Sequence, residues 1–288
     1  MGPKRAGFVG LGNMGAPMAG NILSAGLGLD VFDKAGTIEK APEGATAANS
    51  LSELAECCET LFLSLPDGRA SFEVAEHIAS HNNHVTNCII DLSTTGVQAS
   101  QQCFELLSKA GIDYIDAPVS GGKSGATAGT ITIIWAGSRA LIESHRPYLE
   151  AMSKNIFHVG NVAGQGQSMK LLNNFLSATA MTASSEAILY GLTQGLEMDT
   201  MLKVLNVSTG QNTATSDKFP RQIATGNYAA GFHTTLMSKD LNLYAESVHS
   251  AGTSKQVIDL LQKTWQQFDQ EMPGSDFTRI FQFLQNPD

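Results

Sequence analysis

Cysteine and long apolar runs are scarce in this sequence, and each scarcity excludes a class of protein. The four cysteines, Cys57, Cys58, Cys88 and Cys103, include an adjacent pair but no C-x-x-C spacing. They match neither a zinc framework nor the disulfide scaffold of a small secreted protein. No apolar run approaches the ~20 residues that a helix needs to cross a bilayer, and the first residues leave no room for a signal peptide. We therefore expect a cytoplasmic protein with buried thiols and no membrane partner.

Basic residues are outnumbered as well. The 288 residues include 18 Lys+Arg against 27 Asp+Glu, a formal net charge of −9, which argues against a broad nucleic-acid surface. A chain of this length buries enough surface to fold without metals or disulfides. His77, His81 and His84 have the spacing of ligands on one helical face, but they fall at a polar helix end without a cysteine or carboxylate cluster. We therefore predict no metal site.

The first half of the sequence alternates short apolar runs with amphipathic stretches. The apolar runs predict strands over 6–10, 29–32, 61–65, 89–92, 112–115 and 131–135, and helices are predicted over 16–25 and 71–80. Strands that are buried on both faces and separated by helices are typical of a mostly parallel, doubly wound α/β sheet with right-handed crossovers.

The sequence pattern changes near residues 155–160, and the strand signals stop after 164–166. A long helix is predicted over about 169–192, and further helices over 199–207, 237–250, 255–269 and 277–284. Pro220 predicts a broken or kinked helix over 216–223. We expect an α/β domain over 1–162 and an all-α domain over 163–288, entered by the long helix.

Glycines at 10, 12 and 15 have the G-x-G-x-x-G spacing of a dinucleotide-binding turn. The spacing alone is weak evidence, but here it lies between a strand and a helix, with Asp33 closing the next strand 21 positions after Gly12. Gly10 permits the tight turn, Gly12 lets a pyrophosphate approach the backbone, and Gly15 lets the helix pack on the strand. Asp33 would bind the ribose hydroxyls and repel a 2′-phosphate, which favours NAD. The neighbouring Lys34 would partly tolerate that phosphate, so NADP stays open.

Three later segments carry polar groups in patterns that suit acid–base chemistry. Residues 116–122 (D-A-P-V-S-G-G) place a hydroxyl and backbone amides after a strand. Lys170 and Asn174 are four residues apart, so they project from one face of the long helix. Gly231-Phe232 is followed by Lys239-Asp240. A lysine can take the proton of an alcohol as its hydride leaves, if burial or a nearby cation lowers the lysine pKa, or it can stabilise an alkoxide as a cation.

These four stretches, in this order along nearly the whole chain, resemble the β-hydroxyacid dehydrogenase family, which includes 3-hydroxyisobutyrate dehydrogenase and tartronate semialdehyde reductase. The matching segments are 7–18, 116–122, 164–170 with Asn174, and 231–240. The resemblance implies a Rossmann domain followed by a helical domain. It implies a small β-hydroxy acid or semialdehyde as substrate, and a homodimer or homotetramer.

The resemblance also implies roles for particular residues. Lys170 would be the catalytic acid–base residue, and Asn174 would hold the substrate hydroxyl. The substrate contacts would come from Ser120, Gly121, Gly122, Lys239 and Asp240. The cofactor contacts would come from Gly10, Leu11, Gly12, Asn13, Met14, Gly15, Asp33, Lys34, Leu65, Pro66, Ser93, Thr94, Phe232 and Lys239.

The sequence leaves the substrate and two other functions open. Residues 208–216, including Gln211 and Asn212, are polar where some relatives place an aromatic residue, which suggests a more hydroxylated substrate than 3-hydroxyisobutyrate. An NADPH-dependent semialdehyde or glyoxylate reductase is one alternative, although such relatives tend to carry arginine after the second strand, where this chain has Asp33. A non-catalytic dehydrogenase-like scaffold is a more distant one, because such relatives lack the lysine that this chain has at 170.

Overall fold

A computed structural model describes residues 6–285, and the chain divides into two compact units. The first unit runs to Lys170 and the second begins at Leu171. This division lies inside the long helix α7 (Gln165–Thr193), whereas the sequence places the domain boundary just before that helix. The first turns of α7 are thus part of the first unit, and the rest of α7 opens the second.

The first unit is built on a nine-stranded sheet. Its strands are β1 (Ala6–Val9), β2 (Leu29–Phe32), β3 (Thr46–Ala47), β4 (Thr60–Leu63), β5 (Cys88–Asp91), β6 (Asp113–Asp116), β7 (Val119–Ser120), β8 (Ile131–Ala136) and β9 (Ser153–Gly160). The order is β3-β2-β1-β4-β5-β6-β8-β7, with β9 paired to β8. All pairings from β3 to β6 are parallel, which confirms the predicted mostly parallel sheet.

The far edge of the sheet contains its antiparallel pairings. Strand β8 runs antiparallel to both β6 and β7, because the chain returns through the short β7 and helix α5 rather than through a full crossover. Residues 153–160, for which the sequence predicts no strand, form β9 parallel to β8. Alternate residues of β9 are exposed, so its sequence has no continuous apolar run to reveal it.

Helices cover both faces of this sheet. They are α1 (Gly15–Ser24), α2 (Leu51–Cys57), α3 (Gly68–Ser80), α4 (Val97–Lys109), α5 (Gly122–Ala128) and α6 (Arg139–Met152). Successive strand residues alternate between two cores, so that Phe8 and Phe62 pack with α1 and α6, while Val9 and Leu61 pack with α2, α3 and α4. Burial on both faces explains why these strands read as short apolar runs.

The second unit contains only helices among the residues that the structure describes. After α7 come α8 (Met198–Leu205), α9 (Thr234–Ala251), α10 (Gln256–Glu271) and α11 (Ile280–Leu284), with a 3₁₀ turn at Phe277–Arg279. Pro220 lies in a π-helix, Ala214–Ile223, which is a wider coil rather than the predicted break. The core centres on Trp265, whose indole N–H donates a 3.0 Å hydrogen bond to Thr182 of α7. Over residues 6–285, every helix is too short or too polar to cross a bilayer.

Candidate active site

The glycine-rich turn follows β1, an interior strand that lies between β2 and β4. Ligands of doubly wound sheets bind at this kind of switch point, outside the carboxyl ends of the strands. Gly10 has a φ of +94°. A Cβ at Gly10 would lie 2.3 Å from the Ser64 carbonyl oxygen, and one at Gly15 would lie 1.9 Å from the Gly10 carbonyl oxygen. These two glycines are therefore required by the fold itself.

Gly12 differs from its two neighbours in the motif. Among residues 6–285, a Cβ built there would meet no heavy atom within 4 Å, so no described neighbour requires glycine at this position. Gly12 is exposed, and Met14, at the N-cap of α1, supplies no side-chain hydrogen bond to the first turn. An open glycine beside a helix N-terminus without a side-chain cap fits the pyrophosphate of a dinucleotide, which accepts backbone N–H hydrogen bonds there.

Asp33 ties the end of β2 to the glycine-rich turn. Its Oδ2 accepts a 2.7 Å hydrogen bond from the Leu11 backbone N–H, and its Oδ1 accepts from Ala35 N–H at 2.8 Å and from Lys40 Nζ at 2.7 Å. Burial alone would raise the pKa of Asp33, but these hydrogen bonds and the Lys40 charge lower the pKa below its ordinary value. Asp33 is therefore an ionised, fixed acceptor beside the turn. Lys34 is exposed, and the cation that pairs with Asp33 is Lys40, which no motif in the sequence indicates.

The loops after β4 and β5 meet through Ser93. The Leu65 backbone N–H donates a 2.8 Å hydrogen bond to Ser93 Oγ, and the Ser93 backbone N–H donates to Asp91 Oδ1 at 2.9 Å. Asp91 is fully buried, and burial raises its pKa. The structure thus brings together two of the segments predicted to touch the cofactor, Leu65-Pro66 and Ser93-Thr94, at the same edge of the sheet as the glycine-rich turn.

Gln167, in the first turn of α7, holds this loop to β6. Its carbonyl oxygen accepts hydrogen bonds from Thr95 N–H at 2.9 Å and Gly96 N–H at 3.2 Å. Its amide nitrogen donates to Ser93 O at 3.0 Å and to Asp116 Oδ1 at 2.7 Å. All the hydrogen-bonding capacity of this buried side chain is in use. Nothing in the local sequence around Gln167 indicates these partners.

Asp116 caps the start of α7. Its Oδ2 accepts hydrogen bonds from the backbone N–H groups of Gly164 at 2.9 Å and Gln167 at 3.1 Å. Burial raises the pKa of Asp116 to about 6, although the hydrogen bonds from Gln167 and Gly164 act in the opposite direction. A carboxylate at a helix N-terminus also interacts favourably with the helix dipole. The helix that carries Lys170 is thereby fixed at its origin.

The loop that carries the predicted substrate contacts Ser120, Gly121 and Gly122 begins at the end of β7. Gly121 and Gly122 have φ values of +133° and +62°, which other residues rarely adopt. Ser120, the last residue of β7, pairs with Thr132 of β8 and is half-buried. The turn therefore needs both glycines for its backbone path.

Lys170 and Asn174 lie one turn apart on α7, and both are buried, with 7% and 5% of their surfaces exposed. A lysine as buried as this is rare in proteins, which makes Lys170 a candidate functional residue. The carboxamide nitrogen of Asn174 donates a 2.7 Å hydrogen bond to Asp240 Oδ2. Lys239 Nζ lies 3.4 Å from the other oxygen of Asp240. The second unit therefore joins Asn174, Lys239 and Asp240 in one cluster, as their spacing in the sequence could not show.

Two other residues singled out in the sequence have structural contacts. Phe232 packs edge-to-face on Phe277, with ring centroids 5.8 Å apart. Asn212 Oδ1 accepts hydrogen bonds from the backbone N–H groups of Ala214 at 2.8 Å and Thr215 at 3.1 Å, at the start of the π-helix. The polarity of Asn212 is thus explained by this local turn. Its contribution to the hypothesis of a more hydroxylated substrate is correspondingly weaker.

Comparison with known proteins agrees with this geometry. Residues 5–160 match the model of the NAD binding domain of 6-phosphogluconate dehydrogenase. Residues 164–284 match the model described as NAD-binding of NADP-dependent 3-hydroxyisobutyrate dehydrogenase. The two models adjoin close to the predicted domain boundary.

Individual relatives cover most of the chain. A 3-hydroxyisobutyrate dehydrogenase of Pseudomonas aeruginosa is 34% identical over 98% of this chain and 98% of its own length. An NAD-dependent L-serine dehydrogenase of the same species is 34% identical over 87% of both chains. The solved structure of Mycobacterium tuberculosis 3-hydroxyisobutyrate dehydrogenase with L-serine has a TM-score of 0.92, with 29% identity over 98% of this chain and 99% of that one. Together with the two domain matches, these relatives place the chain in the β-hydroxyacid dehydrogenase family of NAD(P)-dependent oxidoreductases.

Proposed function

We propose that the protein interconverts a small β-hydroxy acid and its oxo acid or semialdehyde, with Lys170 as the acid–base residue. The observation that carries this proposal is the buried Lys170 one helical turn before Asn174, whose carboxamide is fixed by Asp240. NAD, when bound, supplies the hydride acceptor at C4 of its nicotinamide. Gly12, the amides at the start of α1, and Asp33 are the groups that would hold it.

In the oxidation direction, Lys170 would accept the hydroxyl proton of the substrate as the hydride departs. In the reduction direction, the protonated Lys170 would donate to the forming alkoxide. Asn174 would hold the same oxygen with its amide, whose orientation the hydrogen bond to Asp240 fixes. Ser120, Gly121 and Gly122 would bind the substrate carboxylate through a hydroxyl and backbone N–H groups. The Asn174 amide, which Asp240 holds in place, would orient the alcohol and limit the reorganisation that the reaction needs.

The substrate class rests on the relatives. Their names include 3-hydroxyisobutyrate and L-serine, and both compounds carry a hydroxymethyl group on the carbon next to the carboxylate. We propose a substrate with this arrangement for the present chain. The predicted cytoplasmic location and the homodimer or homotetramer remain parts of the proposal.

The experiment is a comparison of Lys170→Ala with the wild type on 3-hydroxyisobutyrate, L-serine and related β-hydroxy acids, with NAD and with NADP. Loss of a general acid–base residue lowers kcat by roughly 10²- to 10⁴-fold, whereas the Kd for the nucleotide should stay within about twofold of the wild type. Lys203→Ala, at an exposed position on α8, is the control and should retain wild-type turnover. Turnover by Lys170→Ala at the wild-type rate would overturn the assignment.

A second function is favoured by one observation, the Lys40 ammonium on Asp33. This cation offsets the charge that would repel the 2′-phosphate of NADP, so an NADPH-dependent reductase of a semialdehyde or glyoxylate is the alternative. Rates of semialdehyde reduction with NADH and NADPH decide between the two functions.

A further inference from the structure

A compact group of soft and hard donor atoms lies away from the proposed active site. Cys57 is the last residue of α2, Cys58 follows it, and both thiols lie against Asp30 in the middle of β2. Asp30 and Cys58 are buried, and Cys57 is half-buried. Asp30 lies 27 and 28 positions before the two cysteines, so no ligand spacing in the sequence indicates this group, and the sequence predicted no metal site.

The distances within this group have the dimensions of a metal site. Asp30 Oδ2 lies 3.4 Å from Cys57 Sγ and 3.6 Å from Cys58 Sγ, and the two sulfurs are 3.7 Å apart. Tetrahedral zinc, with Zn–S bonds of about 2.3 Å and Zn–O bonds of about 2.1 Å, needs about 3.8 Å between two sulfur ligands and about 3.6 Å between sulfur and oxygen. All three observed separations agree with one face of such a tetrahedron to within ~0.2 Å.

We propose that Asp30, Cys57 and Cys58 bind one Zn²⁺ ion. The bonds are to one carboxylate oxygen and two thiolate sulfurs, and water takes the fourth position. Binding releases the two thiol protons to solvent and involves no change of oxidation state. Thiolate sulfur selects zinc over Mg²⁺ and Ca²⁺, which prefer oxygen donors alone. The partial exposure of Cys57 provides the route by which the ion enters.

The consequence of binding would be structural. The ion would tie the end of α2 to β2 and close the loop between Asp30 and Cys57, so it would favour the folded state. Asp33 lies three residues after Asp30, at the end of the strand that the ion would hold. The site is independent of the proposed function, because neither the dehydrogenase reaction nor Lys170 is needed for zinc to bind.

The test measures metal binding by the full chain and does not depend on activity. The protein is stripped with a chelator, freed of the chelator, and titrated with Zn²⁺ in a calorimeter, and the loaded sample is studied by X-ray absorption at the zinc edge. We expect one Zn²⁺ per chain, two sulfur neighbours at about 2.3 Å, and a higher Tm when zinc is present. Cys57→Ser and Asp30→Asn should each weaken binding by roughly 100-fold or more, since each removes one of three protein ligands.

Cys103→Ser is the matched control, because Cys103 is also a buried cysteine of this unit but lies on α4 outside the group. It should bind zinc as the wild type does. The proposal is overturned if the wild type binds no stoichiometric zinc, or if zinc binds equally well to Cys57→Ser and Asp30→Asn, which would mean that it is held elsewhere. The Tm of each variant without metal shows whether that variant is folded. Because Cys57 is half-exposed, we expect Cys57→Ser to fold.

Discussion

Gln167 contacts Asp116 through two separate hydrogen bonds: its side-chain amide donates to one carboxylate oxygen at 2.7 Å, and its backbone amide donates to the other at 3.1 Å. The same side chain also bonds the loop after β5. Gln167 lies three residues before Lys170 on α7. The pair therefore joins the start of the helix that carries the proposed acid–base residue to the edge of the sheet where the cofactor is expected.

Replacing Gln167 with methionine should destabilise the protein strongly. Methionine has a similar size but cannot form the hydrogen bonds of glutamine. Buried partners, including Thr95 N–H and Asp116 Oδ1, would then be unsatisfied, and each unsatisfied group costs about 1–3 kcal/mol of stability. We expect the free energy of unfolding to fall by at least about 3 kcal/mol in urea titrations. The control is Gln165→Met, in the same turn but exposed, which should cost less than about 1 kcal/mol. Equal losses in the two variants would contradict the central position of Gln167.

The raised pKa of Asp116 predicts a pH dependence of stability. The folded-state pKa is about 6, whereas the carboxyl of an unfolded chain titrates near ~3.9. Between these pH values the folded protein binds more protons than the unfolded chain. The contribution of Asp116 to the free energy of unfolding is therefore fully present below pH ~4 and is lost as the pH rises to about 6. The loss is on the order of 3 kcal/mol at most.

The measurement is urea unfolding at several pH values between 4 and 7 for the wild type and Asp116→Asn. The asparagine variant lacks the titration, so the difference between the two unfolding free energies should change across this range in favour of the variant as the pH rises. Asp113→Asn, at the exposed start of the same strand, should follow the wild type in parallel. Parallel curves for Asp116→Asn as well would show that Asp116 does not titrate here.

The structural features that the sequence predicted are those whose signal is local. The strands at the centre of the sheet are continuous apolar runs, the glycine spacing lies within six residues, and Lys170 and Asn174 share a helix face because of the helical period. The partners that the sequence could not supply are either distant along the chain or brought together by the path of a loop. Gln167 meets Asp116 across 51 positions, and no periodic pattern encodes that meeting. Lys40 lies seven positions after Asp33, in a loop whose backbone path fixes the pairing.

Mutation should distinguish the motif glycines that the fold requires from the one that ligand binding requires. Gly15→Ala would bring a Cβ to 1.9 Å from the Gly10 carbonyl oxygen, so the turn must move. We expect a loss of several kcal/mol of stability, roughly as for other overpacked sites. Gly12→Ala has open space around its Cβ and should unfold within about 1 kcal/mol of the wild type.

Gly12→Ala, which should barely change the stability, should weaken nucleotide binding. If the pyrophosphate approaches this backbone, the added methyl group should weaken NAD binding by at least about tenfold in calorimetric titrations. Gly26→Ala, in the loop after α1, is an unsuitable control because its φ is +78°. Gly28→Ala is suitable, since its φ is ordinary and its Cβ also meets open space, and it should bind NAD normally. Unchanged NAD affinity in Gly12→Ala would place the pyrophosphate elsewhere.

Lys40 should set how strictly the protein prefers NAD to NADP. Its ammonium lies 2.7 Å from Asp33 and is about one-third exposed, so solvent screens the pair and its contribution is on the order of 0.2–1 kcal/mol. Removing the cation restores the full negative charge of Asp33 toward a 2′-phosphate. Lys40→Ala should therefore raise the ratio of kcat/KM with NAD to kcat/KM with NADP by up to about fivefold.

Asp33→Ala should lower the same ratio by tenfold or more, because it removes both the ribose acceptor and the repulsion. Lys109→Ala, exposed on α4, should leave the ratio unchanged. A lower ratio in Lys40→Ala would mean that Lys40 supports NAD binding by orienting Asp33, rather than easing the entry of NADP.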